Sequence, residues 1–218
     1  MTQKRYVIKQ WSLFLLAILL PILAWGQLYK WQVTSLTGYQ WFPLFGLIAW
    51  MIMWTHYVNG AVRLSFKGLV KTKLYGKLSA YLVLLFLLLH PGILAFLQYR
   101  NNQGLPPESF INYVGESLAI AVMMGSLSLI IFLSFEVFDR LKNVNLFKKN
   151  WKYISITQSL AMILVYVHAL RIGTIVNGGW FQIVWFVCGI TLLPCLYIIH
   201  KDEFSIKNER EVNSAIPS

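Results

Sequence analysis

Six apolar runs, each free of charged residues, divide the chain. They lie between Lys9 and Lys30, Lys30 and Arg63, Lys77 and Arg100, Glu116 and Glu136, Lys152 and Arg171, and Arg171 and Lys201. A helix that crosses a bilayer needs about 20 mostly apolar residues, and each run has room for one. The second and sixth runs are longer than one span and include polar loop. The pattern predicts helices near 11–28, 42–61, 76–98, 112–135, 152–173 and 179–199. The fold class expected is therefore an all-α membrane protein, a six-transmembrane helix bundle over 11–199. Residues 1–10 form a short N-terminal segment and 200–218 a polar tail. The first run follows Lys4 and Arg5 as a signal peptide does, but it lacks a small-x-small cleavage site and ends in Trp25 and Tyr29. It reads as a retained helix. The loop Asn101–Tyr113 (NNQGLPPESFINY) has turn chemistry and no core. No internal repeat, glycine-rich phosphate loop or low-complexity tract stands out.

Composition strengthens the membrane reading. The chain has 218 residues, 57% hydrophobic and 12% charged, with mean hydropathy +0.59. A soluble domain carries roughly twice that charged fraction. Nine Trp, eleven Tyr and fourteen Phe suit aromatic belts at the two interfaces. The net charge of +11 does not point to nucleic acid, because the basic residues sit between apolar runs. They read as topogenic charge with some attraction to anionic lipid.

Placing the N-terminus inside puts sixteen basic residues on the inner side: Lys4, Arg5, Lys9; Arg63, Lys67, Lys71, Lys73, Lys77; Arg140, Lys142, Lys148, Lys149, Lys152; Lys201, Lys207, Arg210. Three remain outside, Lys30, Arg100 and Arg171. Positive charge concentrates on the cytoplasmic side of membrane proteins, so a multi-pass cell-membrane protein with both termini cytoplasmic is expected.

Candidate chemistry lies in the spans. His90 and His168 fall deep inside the third and fifth apolar runs. An ionisable residue at that depth is costly and is a functional-site hypothesis by default. The third and fifth spans run in the same direction. His90 lies 13 residues past Lys77 and His168 lies 16 past Lys152. At about 1.5 Å per residue these are depths of roughly 20 and 24 Å, so the two imidazoles can be level. A shared metal, above all a haem iron with two axial histidines, satisfies such a pair. Pro91 after His90 can bend the helix and make room for a bulky ring. Arg171, one turn beyond His168, can pair with a haem propionate or snorkel to headgroups, and Arg100 is a weaker candidate of the same kind. His56 and His200 form a second possible pair at the inner ends of the second and sixth spans, read chiefly as interfacial histidines. Glu136 and Asp139 beside Arg140 read as solvated. Cys188 and Cys195 read as apolar packing.

Two segments carry a family resemblance: LYGKLSAYLVLLFLLLHPG, after a basic loop, and FDRLKNVNLFKKNWKYISITQSLAMILVYVHALRIG. Over about residues 42–199 the chain resembles the ferric reductase-like transmembrane domain family. That family includes ferric reductases, NADPH oxidases and the bacterial haem-binding membrane subunit of the periplasmic methionine sulfoxide reductase system. Its pattern has a short basic loop, a Trp just before the fifth helix and a histidine about seventeen residues later, which Trp151 and His168 match; His90 matches the outer histidine of the third helix.

Many members carry a second histidine about thirteen residues earlier on each helix. Here those positions hold Gly76 or Lys77 and Ser155. The resemblance therefore implies one haem b, held by His90 and His168, with Arg171 toward the propionates, and not a two-haem relay. It implies the haem-carrying membrane component of an oxidoreductase, without a flavin or nucleotide domain after the sixth span. The donor is then quinol, a reduced flavin or a flavin reductase, and the acceptor ferric iron or a redox partner protein. The rival expectation is a haem-free polytopic protein, an assembly factor or small permease, whose histidines pack helices.

Overall fold

The computed structural model describes residues 1–66, 68–141 and 143–214. Lys67 and Lys142, two of the basic residues counted above, lie outside the described residues; residue 149 and residues 202–214 are described by their backbone alone. The helices are α1 (Gln3–Leu28), α2 (Gly38–Ser65), α3 (Lys73–Arg100), the short α4 (Glu108–Val114), α5 (Ala119–Arg140), α6 (Asn145–Ile172) and α7 (Gly179–Ser214). No strand occurs among the described residues. Six of these helices are long and apolar enough to cross a membrane, so the expected six-helix membrane bundle is found.

The boundaries differ from expectation most at the starts of α1, α5 and α6 and at the end of α7; α6 begins at Asn145 and not near 152. α1 begins at Gln3, before its apolar run, because nothing in KRYVIK breaks a helix. The fourth span begins at Ala119 and not near 112. Gly115, with φ 94°, separates it from α4, and that left-handed backbone suits glycine alone. α7 runs past its apolar stretch to Ser214.

α2 is the hub. Half of its apolar window is buried, and it packs against α1, α3 and α7. Trp50, Met51 and Ile52 at its middle are almost fully enclosed. The Gln40 side chain accepts the Thr37 N–H at 2.8 Å, which starts the helix. Two antiparallel hairpins, α2–α3 and α5–α6, are the closest-packed neighbours, whereas α3 and α6 barely touch. A gap between the hairpins follows, roofed by α4 at one end and backed by α7. Outside, leucines and isoleucines such as Leu15, Leu85, Ile130, Ile183 and Ile190 stand exposed on the spans around α2, as lipid-facing helices require.

Candidate functional site

The gap between the hairpins is a cavity of about 270 Å³. His90 on α3 and His168 on α6 enter it from opposite sides, with ring centres 6.4 Å apart and ring planes at 87°. The two residues singled out in the sequence are therefore brought together.

Each ring is held the same way. Nδ1 of His90 lies 2.8 Å from the Phe42 carbonyl of α2, and Nδ1 of His168 lies 2.7 Å from the Ala121 carbonyl of α5. A carbonyl only accepts, so in both residues Nδ1 carries the proton and donates. Nε2 is then the basic nitrogen. Among the described residues no hydrogen bond reaches either Nε2. One turn along from each carbonyl a glycine lets the ring lie against the helix. A methyl group at Gly46 would stand 2.8 Å from His90 Nδ1, and one at Gly125 would stand 2.7 Å from His168 Nδ1 and Cε1. Those distances are well inside van der Waals contact, so a side chain at either position would displace the imidazole.

The two hairpins thus repeat one device: a carbonyl, a glycine four residues later, and a histidine on the following helix. The sequence separations from carbonyl to histidine are 48 and 47 residues. Sequence reasoning missed both glycines. The available signal was a lone glycine inside a run of large apolar residues, in PLFGLIAW and VMMGSLSL.

The rest of the wall is apolar at depth, with Met53, Leu87 and Leu129, and an indole and phenol stack behind it. Trp50, Trp185 and Tyr166 pack face to face or tilted, with centroids 4.3 to 5.6 Å apart. Trp50 Nε1 donates to the Met162 carbonyl at 3.2 Å and so ties α2 to α6. Pro91 lines the cavity beside His90, yet α3 continues through it to Arg100. Lys, Arg, Asp and Glu are absent from the lining. Arg171 is exposed at the end of α6 and is not part of the wall, and Arg100 is likewise exposed. The structure therefore does not bring Arg171 to the site that holds the two histidines.

His56 and His200 occupy other surroundings. Nε2 of His56 is 2.7 Å from Ser79 Oγ, and Nε2 of His200 is 2.9 Å from Ser159 Oγ. Cys188 is buried with its thiol 3.8 Å from the Met51 sulfur, and Cys195 is half-buried. Glu136 pairs with Arg140 at 3.1 Å on the surface.

Comparison of the chain with models of known families, with characterised proteins and with solved structures gives no match.

The donor set narrows the chemistry. Among the described residues no group of three or more His, Cys, Asp or Glu gathers within metal-binding reach. A bare transition-metal ion takes at least three protein ligands in most sites. Two imidazoles alone suit an iron whose remaining ligands come from a porphyrin. His90 and His168, with ring centres 6.4 Å apart, would be the residues to hold such a group.

Proposed function

We propose that this chain is a membrane b-type cytochrome that carries one haem between His90 and His168. The carrying observation is the pair itself: two imidazoles 6.4 Å apart, each with Nδ1–H spent on a backbone carbonyl. When bound, haem supplies the one-electron couple of its iron. His90 and His168 present Nε2 as the two ligand atoms. The Phe42 and Ala121 carbonyls fix the tautomer and orientation of the rings, as partners of metal-bound histidine do. Gly46 and Gly125 let those rings sit against α2 and α5. Met53, Leu87, Leu129 and the Trp50–Trp185 stack keep water from the deep part of the site.

The resemblance to the ferric reductase-like membrane domain supports the same reading, in which the protein is the haem-carrying component of an oxidoreductase in the cell membrane. The sixteen-to-three split of basic residues supports cytoplasmic termini. The proposed donor is quinol, a reduced flavin or a flavin reductase, and the proposed acceptor, on the side of α4, is ferric iron or a redox partner protein.

The test is the dithionite-reduced minus oxidised spectrum of detergent-purified protein. The wild type shows the sharp bands of six-coordinate b-type haem, and His90→Ala and His168→Ala each lose them. A colourless wild-type preparation after expression with haem supplied, or wild-type haem content in both variants, overturns the proposal.

A further inference from the structure

The cavity is amphipathic along its length. Its deep end is apolar, while its mouth, under α4, holds three tyrosines from three elements: Tyr29 at the end of α1, Tyr39 at the start of α2 and Tyr113 on α4. Haem b has the same polarity, with an apolar edge of methyl and vinyl groups and an opposite edge bearing two carboxylates. Carboxylates commonly meet arginine, yet no cation lines this cavity, and Arg171 and Arg100 lie outside the wall.

The phenols supply donors. Asn101 Nδ2 donates to the Tyr39 hydroxyl oxygen at 2.8 Å. That bond uses a lone pair and leaves the Tyr39 proton to donate elsewhere. The hydroxyls of Tyr29 and Tyr113 have no hydrogen-bond partner among the described residues. Ring packing fixes all three. Tyr39 stacks on Tyr113 at 5.5 Å, Phe42 meets Tyr113 edge-on at 6.1 Å, and Trp25 meets Tyr29 edge-on at 5.7 Å. Burial, and then the neighbouring phenols Tyr39 and Tyr29, push the Tyr113 hydroxyl above its ordinary range. It therefore stays protonated, and a donor, at neutral pH.

We propose that Tyr29, Tyr39 and Tyr113 form the carboxylate subsite of the cofactor cavity, taking the two propionates by neutral hydroxyl donors in place of a cation. This rests on the haem reading above and adds to it which residues recognise the acidic edge. Hydrogen bonds from neutral groups to a charged acceptor are worth more than neutral pairs, so loss of the hydroxyls weakens retention of the ligand without touching the iron.

The experiment compares haem with its dimethyl ester, in which both carboxylates are masked. Full-length wild type, the Tyr29→Phe/Tyr39→Phe/Tyr113→Phe triple variant and Arg171→Gln are each reconstituted with either ligand, and release to a haem-scavenging apoprotein is followed in the Soret band. The triple variant keeps the bis-histidine spectrum and releases haem about tenfold or more faster, while its release of the dimethyl ester matches wild type. Arg171→Gln releases haem at the wild-type rate. Equal haem release from wild type and triple variant overturns the proposal, as does equal acceleration with the ester or acceleration by Arg171→Gln as large as the triple variant's. A wild type that binds haem with two histidine ligands but fails these comparisons removes only the tyrosine subsite; a wild type that binds no haem removes the cytochrome reading as well.

Discussion

The chain holds two pairs of half-buried histidines, and they use opposite nitrogens. His90 and His168 spend Nδ1 on backbone carbonyls and leave Nε2 toward a shared cavity. His56 and His200 spend Nε2 on serine hydroxyls. For His56 the direction of that bond can be worked out. Ser79 Oγ has one proton and donates it to the Tyr75 carbonyl at 2.6 Å, so it accepts from His56, whose Nε2 therefore carries the hydrogen. His56 also sits beside a closed set of polar groups, in which the Thr55 and Tyr75 hydroxyls meet at 2.5 Å and Asn59 donates to both the Thr55 carbonyl and the Tyr75 hydroxyl. A histidine in an apolar span is costly in either case. What separates the two pairs is that His90 and His168 line one cavity, whereas His56 and His200 do not.

The sharpest break of this comparison is alanine at each pair. If the proposed haem is present, His90→Ala and His168→Ala should empty the preparation of it. His56→Ala leaves haem content at the wild-type level, since its Nε2 already has a partner. Haem quantified per protein by the pyridine haemochrome assay reads this directly. Loss of haem from His56→Ala equal to that from His90→Ala would erase the distinction between the pairs.

Next in size are the glycines. Gly46→Ala and Gly125→Ala each place a methyl group 2.7 to 2.9 Å from ring atoms of the adjacent histidine, so the ring turns and its bond to the carbonyl lengthens. Disturbing such supporting contacts costs about 10-fold or more in affinity for a bound metal. The expected readouts are faster haem release and altered low-spin resonances in electron paramagnetic spectra. Gly92→Ala is the internal control. It lies two residues from His90, but a methyl group there meets nothing within 4 Å, and haem binding stays as in wild type. An equal effect at Gly92 and Gly46 would show that helix propensity, not the fit of the ring, sets the result.

Much of this arrangement was legible in the sequence because it is periodic or compositional. Six uncharged runs yield the six spans, and two histidines at similar depth yield the pair. The start of the fourth span was not legible, because hydropathy runs on through FINYV while the chain turns at Gly115. Nor were the carbonyls that hold the rings, since every residue has one and only packing decides which is used. Arg171 shows the converse: its spacing from His168 suggested a shared site, yet it is exposed outside the cavity wall. The tyrosines at the mouth come from helices far apart in sequence, and no local pattern joins them.

Ser79→Ala tests the other half of the comparison. It removes the acceptor for His56 and leaves a buried N–H unsatisfied, a loss of about 1–3 kcal/mol. A lower melting temperature in detergent, with the haem spectrum unchanged, is expected. A spectrum that shifts with Ser79→Ala would tie the two histidine pairs into one site.

The smallest effect belongs to the surface ion pair of Glu136 and Arg140. Arg140 Nη2 meets Glu136 Oε1 at 3.1 Å, one turn apart on α5, with side chains 71% and 44% exposed. Geometry alone would rank this contact beside His56–Ser79. Solvent decides otherwise, because each exposed partner that loses the other regains water. Surface pairs of this spacing contribute about 0.3–0.5 kcal/mol. Glu136→Gln should therefore leave both haem content and melting temperature within error of wild type, in low salt as in high. If it destabilised the protein as much as Ser79→Ala, burial would not be what gives the inner histidine contact its weight, and charge at the basic end of the bundle would have to be counted as part of what holds α5 in place.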